Sequence, residues 1–489
     1  MRCIRIGHFA IATAISAAIA VAATMASAAE DGQLSLPAKL RELTDIGGAR
    51  SALERAGVRF TFTYFGDTFA NPIGGVTQGF GYDGRFGTII DADLDKLLGW
   101  RGAVFHASIH QIHGTQYSAT NLANLMTVSG IEAPPSTRLF NLWIEQKIGD
   151  NLSLRLGQFS AAQEFLTSDN ANLFINSTFG WPMAAAQDLP SGGPAYPEAT
   201  PGARLAWTPS DRLTIRAAVF NGDPAGPGPG NPVQRDPFGL AFRVNDPPFV
   251  IVESGYGWGE KSPAAAPASG NPNQEGTDIG ARHRRRGADP SVDLAGALKL
   301  GGWIHTGSFA DQRFDSQGGL LAASGGVPRQ HRGNVAAYAV LDQDLWRVPG
   351  QEGRALSGFL RLSASPGDRN LVDLYADGGL TFKGPLASRP DDVIGLAVAW
   401  GRISPQAQGL DRDLAALTGQ GMPIRDHELG LELTYQWALA TNWMVQPDLQ
   451  VILHPGGHVA LSGGGASALR ASVAIPDALV LGVRTIMKF

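Results

Sequence analysis

The chain has almost no cysteine, few charges and no long apolar run beyond its first 30 residues. Cys3 is the single cysteine among 489 residues, which excludes structural disulfides, thiolate catalysis and cysteine-ligated metal from all but the extreme N-terminus. Charged residues make up 17%, below the roughly 25% of soluble domains. The net charge of −5 excludes a strongly basic nucleic-acid binder. Without an apolar run of about 20 residues after position 30, a membrane-spanning helix is excluded there as well.

The first 28 residues have the composition of a secretory signal peptide. Arg2 and Arg5 provide a basic start, residues 9–23 are rich in Ala and Ile, and Ala26 to Ala28 supply the small residues that precede cleavage. We therefore expect residues 1–28 to be removed, which leaves 37 basic and 44 acidic residues, a net charge of −7. Export of a chain without disulfides is typical of an envelope protein of a Gram-negative bacterium.

What the sequence has in abundance is alternation with a period of two residues. In Val58 to Phe65 (V-R-F-T-F-T-Y-F) the aromatic side chains lie on one face and Arg and Thr on the other. Similar segments recur up to residue 489, separated by clusters of Gly, Pro, Asn and Asp. Because strands of membrane barrels alternate lipid-facing apolar with lumen-facing polar residues, the pattern predicts an all-β, transmembrane antiparallel barrel over residues 58–489.

The ends of the chain and its loops fit this architecture. Residues 29–57 contain a helical pattern over 39–56, broken at Gly47 and Gly48, which predicts a short periplasmic helix before the first strand. The last segment closes on Phe489, and we expect this terminal aromatic residue to be presented to the barrel assembly machinery. Segments 221–237, 259–290 and 311–333 are rich in turn residues, which predicts long extracellular loops or lumen plugs.

The chain resembles the carbohydrate-selective porins of the OprB type in a series of ordered motifs from Leu53 to Phe489. The most specific are Leu154 to Gln158 (L-R-L-G-Q), Glu164-Phe165, and Asn176 to Pro182 (N-S-T-F-G-W-P); others lie at 71–75, 192–197, 201–204, 301–306, 367–370, 446–450 and 454–457. The resemblance implies a barrel of about 16 strands, monomeric or homotrimeric, in the outer membrane of a Gram-negative bacterium. It also implies a narrow, loop-constricted lumen that admits glucose and other small sugars. The insertion at 259–290 departs from the family pattern.

A pore that selects sugars needs charged or amide groups on its wall to bind hydroxyls weakly, and an aromatic surface along which a sugar ring can slide. Alternation and the motifs nominate charged lumen residues and two aromatic ones: Arg59, Arg85, Glu145, Arg155, Glu164, Arg204, Arg216 and Glu253, with Trp181 and Tyr196 as the stacking surface. Equally, the charges would simply fill the lumen and brace loops, and Trp181 would belong to an interfacial girdle.

The sequence alone leaves other functions open. A general or anion-preferring diffusion porin differs only in lumen charge, and a barrel adhesin or outer-membrane hydrolase is the alternative of another class. No catalytic motif is present, and no cofactor is implied. His106, His110 and His113 cannot converge on a strand because His113 faces the opposite side, so no metal is expected there. Partners are small sugars, outer-membrane lipid and, through Arg282 to Arg286, the phosphates of lipopolysaccharide.

Overall fold

The structure is a computed structural model that describes residues 35–259, 294–351, 353–419, 421–461 and 473–489. Its strands form a closed antiparallel barrel in which every strand pairs with its neighbours in sequence and the first strand pairs with the last. The predicted fold class is confirmed. The strands are β1 Val58–Ile73, β2 Gly79–Asp93, β3 Ala103–Gly114, β4 Ser136–Ile148, β5 Leu152–Phe159, β6 Thr200–Ser210, β7 Leu213–Phe220, β8 Phe249–Trp258, β9 Gly296–Asp315, β10 Pro328–Arg347, β11 Ala355–Ala364, β12 Val372–Lys383, β13 Val393–Ile403, β14 His427–Ala440, β15 Trp443–Leu453 and β16 Ala478–Lys488.

Short helices precede the barrel and decorate its connections. Two of them are joined through the turn at Gly47 and Gly48. The second of these helices ends at Ala56, and only Gly57 separates it from β1. The α-helices are α1 Leu36–Thr44, α2 Ala49–Ala56, α3 Leu94–Leu98, α4 Met183–Asp188, α5 Pro232–Arg235, α6 Leu321–Ser324, α7 Pro405–Thr418 and α8 Pro455–His458. Single helical turns lie at Ile46–Gly48, Ser118–Leu122, Ala161–Gln163, Ala171–Leu173, Ser177–Phe179 and Pro190–Gly192. The predicted signal peptide lies outside the described residues.

Alternation along the strands separates an apolar outer surface from a charged lumen. Leu156, Leu205 and Val252 are exposed on the outside, whereas their sequence neighbours Arg155 and Arg204 are buried on the inside. Exposed apolar side chains that continue around a closed sheet match the lipid-facing band of an outer-membrane barrel. At one rim this band ends in exposed Trp residues, Trp100, Trp207 and Trp346, as an aromatic girdle requires.

The two ends of the barrel differ in their connections, which corrects two of the loop predictions. The end that holds the N-terminal helices and Phe489 has mostly short turns and is periplasmic, and the opposite, extracellular end has mostly long loops. Residues 259–290 follow an even-numbered strand, β8, so their flanking strand ends lie at the periplasmic end, away from lipopolysaccharide in the outer leaflet. The insertion itself, with Arg282 to Arg286, lies outside the described residues. The predicted loop 311–333 is shorter than expected, because β9 and β10 extend into it as a long hairpin and leave only 316–327 as the connection.

Two extracellular connections fold back into the lumen: residues 115–135, the first inner loop, and residues 160–199, the second inner loop. Wall carboxylates accept hydrogen bonds from their backbone amides; Glu428 binds Met126 N at 2.7 Å, and Glu432 binds Ile175 N at 2.6 Å. The loops also bind each other, since Gly130 N donates to Ile175 O at 2.8 Å. The second inner loop contacts opposite parts of the wall, since Glu198 pairs with Arg138 of β4 and Leu173 O accepts from Gln446 of β15 at 2.7 Å.

Apolar packing adds to these polar contacts. Phe165 and Leu166 of the second inner loop are buried with the wall residues Phe159, Phe220 and Phe249 in one cluster inside the barrel. Burying a Phe or Leu side chain stabilises a fold by roughly 1.5–3 kcal/mol relative to exposure. The second inner loop is therefore a packed element of the barrel, and it narrows the lumen.

The seam where the barrel closes contains a buried ion pair. Asp67 of β1 lies opposite Arg484 of β16 in the register, and the guanidinium donates to the carboxylate at 2.7 and 2.6 Å. Both side chains are at most 2% exposed. The Ser129 hydroxyl of the first inner loop donates to the same carboxylate at 2.5 Å, so closure of the barrel and placement of this loop share one anion.

We predict that Arg484→Ala lowers the free energy of unfolding by about 3–5 kcal/mol, because it leaves the buried Asp67 carboxylate without its counter-ion. The matched control is Arg402→Ala, which breaks the two-bonded pair with Asp373 at the extracellular rim, where the Arg402 side chain is 42% exposed. That change is expected to cost about 1 kcal/mol or less. Urea unfolding in detergent, followed by tryptophan fluorescence, measures both; equal losses would contradict the assignment.

Candidate functional site

Six of the sequence-nominated residues meet in one network of charges on the lumen side of β4 to β8. Five project from consecutive strands, and the sixth, Glu164, comes from the second inner loop. The network consists of three guanidinium and three carboxylate groups: Glu145, Arg155, Glu164, Arg204, Arg216 and Glu253. Its formal charge is therefore zero when every member is ionised.

The register of the strands explains why these charges need each other. Glu145 lies directly opposite Arg155 and Arg216 directly opposite Glu253, which are favourable cross-strand pairs. Arg155, however, also lies directly opposite Arg204 on β6, an unfavourable pair of like charges. Two guanidinium groups side by side require an anion that binds both.

Two carboxylates bind both guanidinium groups. Glu145 accepts from Arg155 at 2.6 Å and from Arg204 at 2.9 Å. Glu164 lies 2.6 Å from Arg155, 3.2 Å from Arg204 and 3.8 Å from Arg216. Glu164 thus attaches the second inner loop to the wall beside the row of arginines.

The last carboxylate of the network joins it to the loop backbone. Glu253 lies 3.5 Å from Arg216, and it accepts hydrogen bonds at 3.0 Å from the Leu166 amide and from the Tyr338 hydroxyl. Its side chain is 1% exposed, whereas Glu145 is 20% and Arg216 14% exposed. The accessible part of the network is therefore formed by Glu145, Arg216 and, at 10% each, Arg155 and Glu164.

The environment keeps Glu164 ionised. Burial by itself raises the pKa of this carboxyl group, but the charges of Arg155, Arg204 and Arg216 outweigh burial and hold the pKa below its usual value. A carboxyl group with a lowered pKa keeps its charge as the pH falls to its usual pKa and below. Glu164 consequently stays charged beside the three arginines at neutral and mildly acidic pH.

Trp143, an aromatic residue that the sequence analysis did not nominate, contacts the network. The Arg155 guanidinium carbon lies 3.8 Å from the centre of the Trp143 ring, a cation–π contact. His106 also stacks on Trp143, with ring centres 4.7 Å apart, and its Nδ1 lies 2.8 Å from Asp91. The alternation of the sequence could have predicted this contact, because Trp143 lies two residues from Glu145 and therefore shares the lumen face of β4.

The other four nominated residues lie outside this network. Arg59 is at the periplasmic mouth, 3.7 Å from Glu54 of α2, with its side chain 43% exposed. Arg85 is buried in the lumen wall over the rings of Phe65 and Tyr196, at 4.7 and 5.5 Å.

Trp181 and Tyr196, the expected stacking surface, lie in the second inner loop. Trp181 is only 6% exposed in the core of the second inner loop, and its Nε1 donates to Gly192 O at 3.0 Å. The Tyr196 hydroxyl donates to Ile131 O of the first inner loop at 2.8 Å. Trp181 therefore packs the second inner loop against wall residues such as Phe159 and Phe220, and Tyr196 joins the two inner loops.

The three histidines of β3 do not converge, as the alternation predicted. His106 and His110 face the lumen and stack on Trp143 and Phe140. His113 lies on the outer face and stacks with Tyr64. Within the described ranges, the one set of three His or carboxylate side chains with closely spaced ligand atoms lies at the extracellular rim, far from this strand in sequence.

A closed barrel with an apolar exterior, a charged interior and a loop packed across its lumen defines a β-barrel channel of the outer membrane. In the part of the chain that the structure describes, no helix is both long and apolar enough to cross a bilayer.

Comparison with known proteins identifies the family. The sequence model of the carbohydrate-selective porin, OprB family matches residues 77–489. Porin B of Pseudomonas aeruginosa is 25% identical over 455 residues, which cover 88% of this chain and 91% of Porin B. A putative porin, QuiX, of Acinetobacter baylyi is 22% identical over 85% of this chain and 88% of its own length. The high-pH structure of Pseudomonas putida OprB superimposes with a TM-score of 0.73 at 22% identity, covering 91% of this chain and 97% of that structure.

The chain belongs to the carbohydrate-selective porin, OprB family. It is an outer-membrane porin for small carbohydrates, as the residue motifs predicted.

We predict opposite changes of ion selectivity for two neutralising variants of the network. Glu164→Gln leaves an excess positive charge beside the lumen and shifts the reversal potential in a KCl gradient toward anions, whereas Arg204→Gln leaves an excess negative charge and shifts it toward cations. Each variant controls for the other, because both remove one member of the same network. Shifts of the same sign would mean that the variants act by displacing the loop.

Proposed function

We propose that glucose-like monosaccharides cross the barrel by passive diffusion past the Arg–Glu network, exchanging hydrogen bonds with its accessible members. The single observation that carries this proposal is the balance of three arginines and three glutamates held together beside the lumen. A balanced site offers little net field to an ion. It offers many donors and acceptors to an uncharged polyol.

The chemistry of the two side-chain types matches sugar hydroxyl groups. Each guanidinium has five donors in a fixed fork, more than its carboxylate partners use, and each carboxylate has about four acceptor positions. A sugar hydroxyl both donates and accepts, so it can replace one contact without leaving a charge unpaired. Because every group already has a protein partner, the gain on binding is small, and weak binding is what permits the sugar to leave.

The inner loops favour selection by size over general diffusion. They pack against most of the wall and remove much of the cross-section that a sixteen-stranded barrel would otherwise offer as an aqueous channel. We infer that transport needs no energy source and that the protein catalyses no reaction. A general or anion-preferring porin is the alternative, and a hydrolase or adhesin is the alternative of another class; the measurements below distinguish them.

The remaining partner proposals concern assembly. The backbone of Phe489 exchanges two hydrogen bonds of 2.9 Å with Phe62, and its ring lies against Phe62 and Phe86 at the periplasmic end. This position supports recognition of the terminal residue by the assembly machinery before the barrel closes. Either a monomer or a homotrimer is compatible with the proposal, because the network lies within a single barrel.

We predict that glucose reduces the ion current of the wild-type channel in a planar bilayer, and that Arg155→Gln raises the half-blocking concentration about tenfold or more. A hydrogen bond to a charged group contributes about 1.5–3 kcal/mol. Because about 1.4 kcal/mol corresponds to a tenfold change in affinity, loss of one such bond weakens glucose binding about tenfold or more. The measurement is the titration of glucose against current for the two proteins.

The matched control is Arg59→Gln, which removes a lumen arginine at the periplasmic mouth, where the guanidinium lies 3.7 Å from Glu54. Its half-blocking concentration is expected to equal that of the wild type. A large current indifferent to glucose would favour general diffusion, and a current blocked by small anions would favour the anion porin. Turnover of lipid or sugar esters by the purified protein would contradict the absence of catalysis.

A further inference from the structure

Two imidazoles and a carboxylate meet at the extracellular rim, on connections that are distant in sequence. Asp426 and His427 lie at the start of β14, and His454 follows β15 directly. Each residue offers one ligand atom, and the three atoms lie within 4.8 Å of one another. His454 Nδ1 is 2.8 Å and His427 Nδ1 is 3.3 Å from the same oxygen, Asp426 Oδ1.

We infer that this rim cluster is a binding site for one transition-metal ion of the zinc class, and that the ion links the β13–β14 connection to the β15–β16 connection. Imidazole nitrogen and carboxylate oxygen bind Zn²⁺ at about 2.0–2.2 Å, so ligand atoms of a tetrahedral site lie about 3.3 Å apart. The two nitrogen-to-oxygen separations, 2.8 and 3.3 Å, are close to this value, and the ligand nitrogens of the two histidines lie within 4.8 Å of each other. Two neutral imidazoles and one carboxylate also carry the net negative charge that a divalent cation needs.

The neighbouring residues support the assignment. A third imidazole, His458, has its ring centre 4.2 Å from that of His454, and its buried Nδ1 has no hydrogen-bond partner within the described ranges. The turn between the two histidines contains Gly456 and Gly457 in the left-handed region, which folds the chain tightly enough to bring both rings to one side. The three ligand side chains are 30–44% exposed, so an ion has direct access from outside.

The site is adjacent to the anchor of the first inner loop. Glu428 follows His427 in β14, and its carboxylate accepts from Leu125 N at 2.8 Å, Met126 N at 2.7 Å and Gly456 N at 2.7 Å. The same turn therefore binds both the proposed ion and the anchor. An ion at the rim would brace this anchor by holding His454 against β14.

The direct test is zinc binding by the untagged, EDTA-treated full-length barrel in detergent, measured by isothermal titration with ZnCl₂. We expect the wild type to bind about one equivalent more than the double variant His427→Gln/His454→Gln, with millimolar Mg²⁺ failing to compete because Mg²⁺ prefers oxygen ligands. Each single variant, His427→Gln or His454→Gln, removes a direct ligand. Its zinc affinity should therefore fall by more than the roughly 10–100-fold that is typical for removal of an outer-shell partner.

The matched control is His331→Gln, which removes one imidazole from a different extracellular His–carboxylate cluster, 2.8 Å from Asp311 and 3.7 Å from Asp368. It should bind zinc like the wild type. Saturating zinc should also raise the temperature at which the wild type, but not the double variant, loses its compact form on unboiled gels. Unchanged glucose block in the double variant would show that it folds. Equal zinc uptake by wild type and double variant, or an equal loss in His331→Gln, would overturn the proposal.

Discussion

Wall carboxylates bind backbone amides of the inner loops, wall guanidinium groups bind the Glu164 carboxylate of the second inner loop, and the rest of the lumen depends on these contacts. Glu428 and Glu432 each accept from two consecutive amides of an inner loop, and Glu253 accepts from a third site at Leu166. A loop inside a closed barrel buries polar backbone groups as well as apolar side chains, and its buried amides need acceptors. Acidic residues on inward positions supply them.

The charge network is a second consequence of the same constraint. Arg155 and Arg204 face each other across adjacent strands, and this repulsion is relieved when Glu164 enters with the second inner loop. The charge of the site is therefore balanced only when the loop is in this position. This coupling gives a physical reason why a porin of this family can narrow its lumen with charged residues and still pass an uncharged solute.

Much of the site followed from sequence, because the period of two residues fixes which side chains face the lumen. Arg155, Arg204, Arg216, Glu145 and Glu253 all point inward as alternation requires. Glu164 is not on a strand, and it was nominated through a motif of the family. Trp181 and Tyr196 were nominated through motifs of the family, and a motif does not show which way a ring faces in a folded loop; Trp181 is buried, and the Tyr196 hydroxyl donates to the first inner loop.

The sequence by itself determined the barrel, its lipid-facing surface and the charged character of its lumen, since each depends on local periodicity. It did not determine the end of the barrel at which the insertion at 259–290 is anchored, because this depends on counting every preceding strand. The pairing of Glu164 with three arginines and the meeting of His427 with His454 were decided by tertiary structure alone. Both contacts join segments whose distance in space is set by barrel closure and loop folding. Neither produces a periodic pattern in the sequence.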